Sequence, residues 1–146
     1  MNAFLPREWP GSWPSASELL KSARRARAFA YAPYSGFPVG AALYEEGRAD
    51  FLLGSNVENG SFGLSMCAER NAAGAMVVRG GRRPLAIAIV GHSGEPCFPC
   101  GACRQFLAEF NPELLIVLEN GSEPLILSLA DLFPAPFVLK GESCHD

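Results

Sequence analysis

Between residues 16 and 31 the apolar positions Leu19, Leu20, Ala23, Ala26, Phe29 and Ala30 recur near helical spacing, with Arg24, Arg25 and Arg27 turned away from them. The pattern predicts an amphipathic helix with a solvated arginine face. Ser15 and Glu18 stand just ahead in S-x-x-E order, a capping box. Pro33-Tyr34-Ser35-Gly36-Phe37-Pro38 then breaks the helix and turns the chain. Val39–Tyr44 and Phe51–Gly54 read as a hairpin joined through Glu45-Glu46-Gly47. A second helix is predicted from about Cys67 to Arg79, stopped by Gly80-Gly81. Leu85–Val90 is a short unbroken apolar run, the pattern of a central strand covered on both faces. A third helix begins near Cys100 and ends before Pro112. Leu114–Leu118 and Leu125–Leu127 read as strands and Ser128–Leu132 as a helical turn.

Strands alternating with helices in this order imply an α/β fold, a three-layer α/β/α sandwich around a mixed five-stranded sheet. Crossover helices start at the strand ends where α/β sites gather. The 146 residues suit one domain, taken as 15–146. Residues 1–14 form a flexible N-terminal arm containing Pro6, Pro10, Gly11 and Pro14, whose Trp9 and Trp13 are expected to pack on the domain or on a neighbouring subunit.

Composition removes several function classes. A net charge of -3 lacks the basic footprint of phosphate-backbone binding, so no nucleic-acid partner is expected. No run approaches the roughly 18 apolar residues of a membrane span, and the N-terminus lacks a secretory pattern. Five cysteines, with Cys97, Cys100 and Cys103 at three-residue steps, fit metal binding in a reducing compartment better than a disulfide framework. The expected location is cytoplasmic.

The candidate chemistry lies in Cys67-Ala68-Glu69 and Pro99-Cys100-Gly101-Ala102-Cys103. Catalytic zinc takes three protein ligands and leaves one position open. Cys100 and Cys103, three apart at a helix start, share one helix face, and Cys67 at another helix start completes a set for one Zn²⁺. A glutamate two residues after the first ligand, followed by P-C-x-x-C, is the zinc-deaminase arrangement. Three thiolates around Zn²⁺ leave about one negative charge, which helix N-termini offset, with Arg70 and Arg104 as outer partners of the sulfurs. Glu69 stands where a proton acceptor for attacking water is needed. Pro96-Cys97-Phe98-Pro99-Cys100 also fits P-C-x-x-C. The later register is preferred because Pro99 suits a helix start and Cys103, Phe106, Leu107 and Phe110 continue the amphipathic run. Cys97 then lies in the preceding loop, and Cys144, His92 and His145 are left outside the ligand set.

Tyr31-Ala-Pro-Tyr-Ser-Gly-Phe-Pro-Val-Gly-Ala-Ala-Leu43, Asn56-Val-Glu-Asn59, Cys67-Ala-Glu-Arg-Asn71 and Pro99-Cys-Gly-Ala-Cys-Arg-Gln105 together resemble the small cytidine deaminases, over about residues 16–138. The three-cysteine form is similar to their short-chain homotetrameric branch. The resemblance implies a cytidine deaminase-like fold and zinc-dependent hydrolytic deamination of free cytidine and 2′-deoxycytidine in pyrimidine salvage. It implies one zinc per subunit on Cys67, Cys100 and Cys103, and a proton shuttle at Glu69. It also implies ribose contacts from Asn56 and Glu58, a pyrimidine pocket lined by Phe37, and base contacts from the Ala68 N–H and the Cys100 carbonyl. Leu132-Phe-Pro-Ala-Pro-Phe137 resembles a family tail whose phenylalanine enters a neighbouring subunit's site, so Phe137 implies a homotetramer with sites at subunit interfaces. Phe62 stands where the family commonly has tyrosine, the hairpin is one residue longer, and the arm is additional. Two other readings stay open. One is a deaminase for another aminopyrimidine nucleoside, such as a blasticidin-type antibiotic. The other is a non-catalytic structural zinc module closed by Cys97 as fourth ligand.

Overall fold

A computed structural model describes residues 4–140; Cys144 and His145 lie outside the described residues. The elements run α1 (Ala16–Arg27), β1 (Gly40–Tyr44), β2 (Leu52–Ser55), α2 (Ala68–Val78), β3 (Ala86–Val90), α3 (Gly101–Ala108), β4 (Leu115–Leu118), β5 (Leu125–Ser128) and α4 (Leu129–Leu132), with a 3₁₀ turn at Phe62–Leu64. The five strands lie in the order β2-β1-β3-β4-β5. Only β3 and β4 pair in parallel, joined over α3; the other neighbours are antiparallel. The sheet is therefore mixed, as the order of elements predicts, but richer in antiparallel contacts than a repeated crossover pattern.

Side-chain alternation sorts the core into two layers. Ala42, Tyr44, Ala86, Ala88 and Val90 face α1 through Leu19, Leu20 and Ala23. Leu43, Leu52, Ile87, Ile89, Ile116 and Leu118 face the other way, onto Ala72, Met76 and Leu107 of α2 and α3. All five residues of β3 are buried, which explains its unbroken apolar run. The predicted capping box is present: Ser15 Oγ accepts from the Glu18 N–H, and Glu18 accepts from the Ser15 N–H.

Helix α1 ends at Arg27, short of the predicted Tyr31. The chain leaves the helix because Tyr31 bridges to Val57, its N–H donating to Asn56 O at 3.0 Å and its carbonyl accepting from the Glu58 N–H at 2.8 Å. Phe29 is consequently 84% exposed rather than part of the core.

Two glycines set the spacing of the layers. A Cβ on Gly40 would stand 2.0 Å from Ala23 O, and one on Gly54 would stand 2.2 Å from Ala68 O. The backbone of α1 thus rests directly on β1, and the first turn of α2 rests directly on β2. Register places Gly40 opposite both Ser55 and Val90, so the starts of α2 and of the loop to α3 leave the sheet at one end.

At that end Glu119, 4% exposed, pairs with Arg24 and accepts from the Gly94 N–H at 2.9 Å. This ties the loop before α3 to β4. From Arg7 to Trp13 the arm is pinned to the domain instead of flexible. The Arg7 N–H donates to Ile126 O on edge strand β5, and the Arg7 guanidinium meets both Asp131 oxygens at 2.8 and 3.0 Å. Trp9 donates to Pro14 O, and Trp13 packs on Tyr44 at 5.4 Å. Among the described residues no helix is long and apolar enough to cross a membrane.

Because Gly54 meets backbone rather than a flexible side chain, Gly54→Ala must push α2 off the sheet. The expected cost is at or above the roughly 3 kcal/mol upper end for overpacking, seen as a lowered Tm, with loss of zinc content from the displaced Cys67.

Candidate active site and metal centre

Cys67 is the N-cap residue of α2, and Cys100 is the N-cap residue of α3. Cys103 follows one turn later and is buried. Their three Sγ atoms lie within 4.8 Å of one another, with Cys67 and Cys100 at 3.8 Å. Tetrahedral zinc with thiolate bonds of about 2.3 Å needs ligand sulfurs about 3.8 Å apart, so the donor set fits this ion in chemistry and spacing. Cys97 is not part of the cluster. Its sulfur packs against Gly91, where an added Cβ would stand 3.0 Å away, and burial pushes its thiol up to about 11. This selects the Cys100–Cys103 register over the Cys97–Cys100 alternative.

The sulfurs do not titrate as equals. The Cys67 thiol falls to about 5, chiefly because Cys103 donates a hydrogen bond to it; burial opposes this and the Arg70 guanidinium assists. Cys103 is pushed up by the same hydrogen bond, with burial and neighbouring negative charge adding to it. Binding of a divalent cation to such crowded thiols would release their protons. Arg70 Nη2 lies 3.8 Å from Cys67 Sγ and donates to Ser65 O at 3.3 Å. Arg104 is placed differently: it donates to Pro99 O at 2.9 Å and Leu132 O at 2.8 Å, bracing the loop and α4 rather than a sulfur.

Glu69, on the first turn of α2, is 4% exposed. Burial pushes its carboxyl up to about 6, and the negative charge of Cys67 contributes. It borders a cavity of about 260 Å³ together with Phe37, Val39, Asn56, Cys67, Ala68, Cys97, Phe98 and Cys100. Metal donors, a buried carboxyl and an aromatic wall therefore share one concave site. Phe37 is held edge-on against His92 at 4.5 Å. Val39 and Phe98 are wall residues that motif reading passed over. The signal available for Phe98 was its place between Cys97 and Pro99.

The other expected contacts are placed differently from one another. Asn56 borders the cavity but is already engaged: its Oδ1 accepts from the Val39 N–H at 2.8 Å and its Nδ2 donates to Phe37 O at 3.0 Å. Glu58 sits in an adjoining pocket with Tyr34, Ser35, Phe62 and Ser65. Its Oε1 accepts from the N–H groups of Tyr34 and Ser35 at 3.0 and 3.1 Å, and the Ser35 contact chiefly holds the carboxyl below its usual range. Phe137 enters neither pocket of its own chain. Gln105 fixes its backbone by two hydrogen bonds of 2.9 Å, leaving the ring on the surface with the residue 70% exposed.

The chain is similar to known proteins. A cytidine deaminase from Halalkalibacterium halodurans is 48% identical over 124 residues, covering 84% of this chain and 93% of the relative. One from Mycobacterium tuberculosis is 41% identical over 129 residues, covering 83% and 88%. A crystal structure of cytidine deaminase from Burkholderia pseudomallei superposes with a TM-score of 0.78 at 43% identity, covering 85% of this chain and all of the other. Residues 14–119 match the model of the cytidine and deoxycytidylate deaminase zinc-binding region. With three sulfurs spaced for zinc beside a buried carboxyl, on the fold of these relatives, the chain belongs to the cytidine and deoxycytidylate deaminase zinc-binding family.

Proposed function

We propose that this chain hydrolyses the 4-amino group of free cytidine and 2′-deoxycytidine, giving the uridine products and ammonia, as a pyrimidine-salvage enzyme. Cytidine deaminase activity follows from relatives 41–48% identical over most of the chain. The observation that carries the mechanism is the convergence of Cys67, Cys100 and Cys103 on one cavity with a buried carboxyl two residues from the first ligand. Zinc held by the three cysteines supplies the Lewis acidity that makes water nucleophilic near neutral pH.

The chain's own residues do the rest. Glu69 takes one proton from the attacking water and gives it to ring N3 as the oxygen adds at C4, then carries the second proton from that oxygen to the amino group as the C4–N bond breaks, leaving a C4 carbonyl and ammonia. Its burial supports this role, since a carboxyl in low dielectric gives up and accepts protons near neutrality. Phe37 covers one face of the pyrimidine. The Ala68 N–H faces the ring carbonyl and the Cys100 carbonyl faces the amino group. Asn56 and Glu58 take the ribose; the two backbone contacts on Glu58 Oε1 hold its carboxylate still for a hydroxyl donor. Arg70 offsets negative charge at Cys67, and Arg104 acts through the Pro99 carbonyl rather than on sulfur.

The fixed, surface-facing Phe137 supports a homotetramer in which this ring enters a neighbour's site. So does the exposed apolar set Tyr34, Val57, Phe62, Leu64 and Met66 around the Glu58 pocket. Four unpaired cysteines among the described residues fit a cytoplasmic, reducing location.

Cytidine turnover followed by ultraviolet absorbance tests the reaction. Glu69→Gln is expected to lower kcat at least about 100-fold with zinc content unchanged; a variant retaining half its activity refutes the proton shuttle. Cys100→Ser is expected to lose zinc and activity together, whereas Cys97→Ser keeps both. Zinc loss in Cys97→Ser would instead establish a structural four-cysteine site. Sedimentation equilibrium is expected to give a tetramer, and Phe137→Ala to raise KM about 10-fold, as for a lost aromatic contact in a desolvated site. A monomer with full activity would contradict the interface reading.

A further inference from the structure

The family match begins at residue 14, yet the arm ahead of it touches a wall residue of the cavity. Phe98, 42% exposed, lines that cavity one residue before Pro99 and two before the ligand Cys100. The ring of Phe4 lies 6.2 Å from that of Phe98 between centroids, tilted by 39°, within the range of a favourable aromatic pair.

Phe4 is held there by a chain of anchors. Three residues on, Arg7 grips Asp131 of α4 with two hydrogen bonds and donates its N–H to Ile126 of β5. Trp9 and Trp13 pack edge to face at 5.3 Å and join the core on the α1 side of the sheet. The arm therefore starts in one core layer, passes edge strand β5, and ends against the wall of a cavity built on the opposite layer. A three-residue tether from a fixed arginine reaches at most about 11 Å, which limits how far Phe4 can move from its contact with Phe98.

We propose that Phe4 is a positioning residue for the nucleoside site, holding Phe98 in place as a preset wall for the pyrimidine. Fixing that ring in advance removes an ordering cost from binding, so the effect belongs in substrate affinity rather than in the chemical step. The proposal rests on the nucleoside reading of this cavity.

The test compares wild type, Phe4→Ala, Phe4→Leu, Phe98→Ala and the Phe4→Ala/Phe98→Ala double variant for KM, kcat and zinc content with cytidine. Phe4→Ala is expected to raise KM about 3- to 10-fold with kcat within about twofold and zinc unchanged. Phe4→Leu regains most of the affinity by refilling the contact. On the Phe98→Ala background, removing Phe4 adds little, because the ring it supports is already gone. An unchanged KM in Phe4→Ala, or a fully additive effect on Phe98→Ala, overturns the proposal. A folded, zinc-loaded wild type that turns over no cytidine overturns the nucleoside reading and the proposal with it, an outcome distinct from a defect confined to the Phe4 variants.

Discussion

The first turn of α2 lies on β2 so closely that Gly54 can carry no side chain, and α1 lies equally close on β1 at Gly40 from the other face. The rest of the site depends on this seating. It fixes how far Cys67 stands from the sheet, and therefore whether its sulfur meets those of Cys100 and Cys103 leaving the next crossover. Helix α3 is located through the loop before it, held by Glu119 to Gly94 and by Arg104 to Pro99. Tight interiors transmit such displacements instead of absorbing them, so the geometry of a small site is set by backbone contacts some distance away.

Electrostatics at the triad follow from crowding. Three thiols this close cannot all ionise without a counter-charge. The Cys67 sulfur, beside Arg70, is pulled towards the ionised form, while the buried Cys103 is pushed towards the protonated one. Both N-cap ligands stand at helix N-termini, where the backbone contributes partial positive charge. The same negative charge and the same burial raise Glu69. One local arrangement thus favours a dication at the sulfurs and a protonatable carboxyl beside it.

The cavity is unequal in its walls. Its floor is made by secondary structure through Ala68, Glu69 and Cys67, whereas Phe37, Val39, Cys97 and Phe98 come from connecting segments. Those segments are held by side-chain bonds such as Asn56 to Phe37 and Val39, by the seat of Phe37 on His92, and by the arm behind Phe98. Segments supported in this way are where small deaminases with the same floor can differ in what they accept.

How much of this was legible in the sequence differs by element. The strands β1, β3 and β4, the capping box, and the zinc ligands at i and i+3 on one helix start were readable because each is a local pattern. Period, cap chemistry and ligand spacing are written in consecutive residues. The end of α1 was not, because Tyr31 leaves the helix for a bridge to Val57, a partner 26 residues on. Nor could local pattern separate the two cysteine registers by itself: Cys97 is excluded because its sulfur packs against Gly91, outside the cluster of Cys67, Cys100 and Cys103. The antiparallel pairing of β1 with β3, the diversion of Arg104 to backbone carbonyls and the meeting of Phe4 with Phe98 all join residues far apart in the chain. The chemistry on offer, three thiols and a carboxyl at two helix starts, is written in consecutive residues. Which groups meet is settled by folding, because long-range pairing depends on how whole faces pack rather than on any short run of residues.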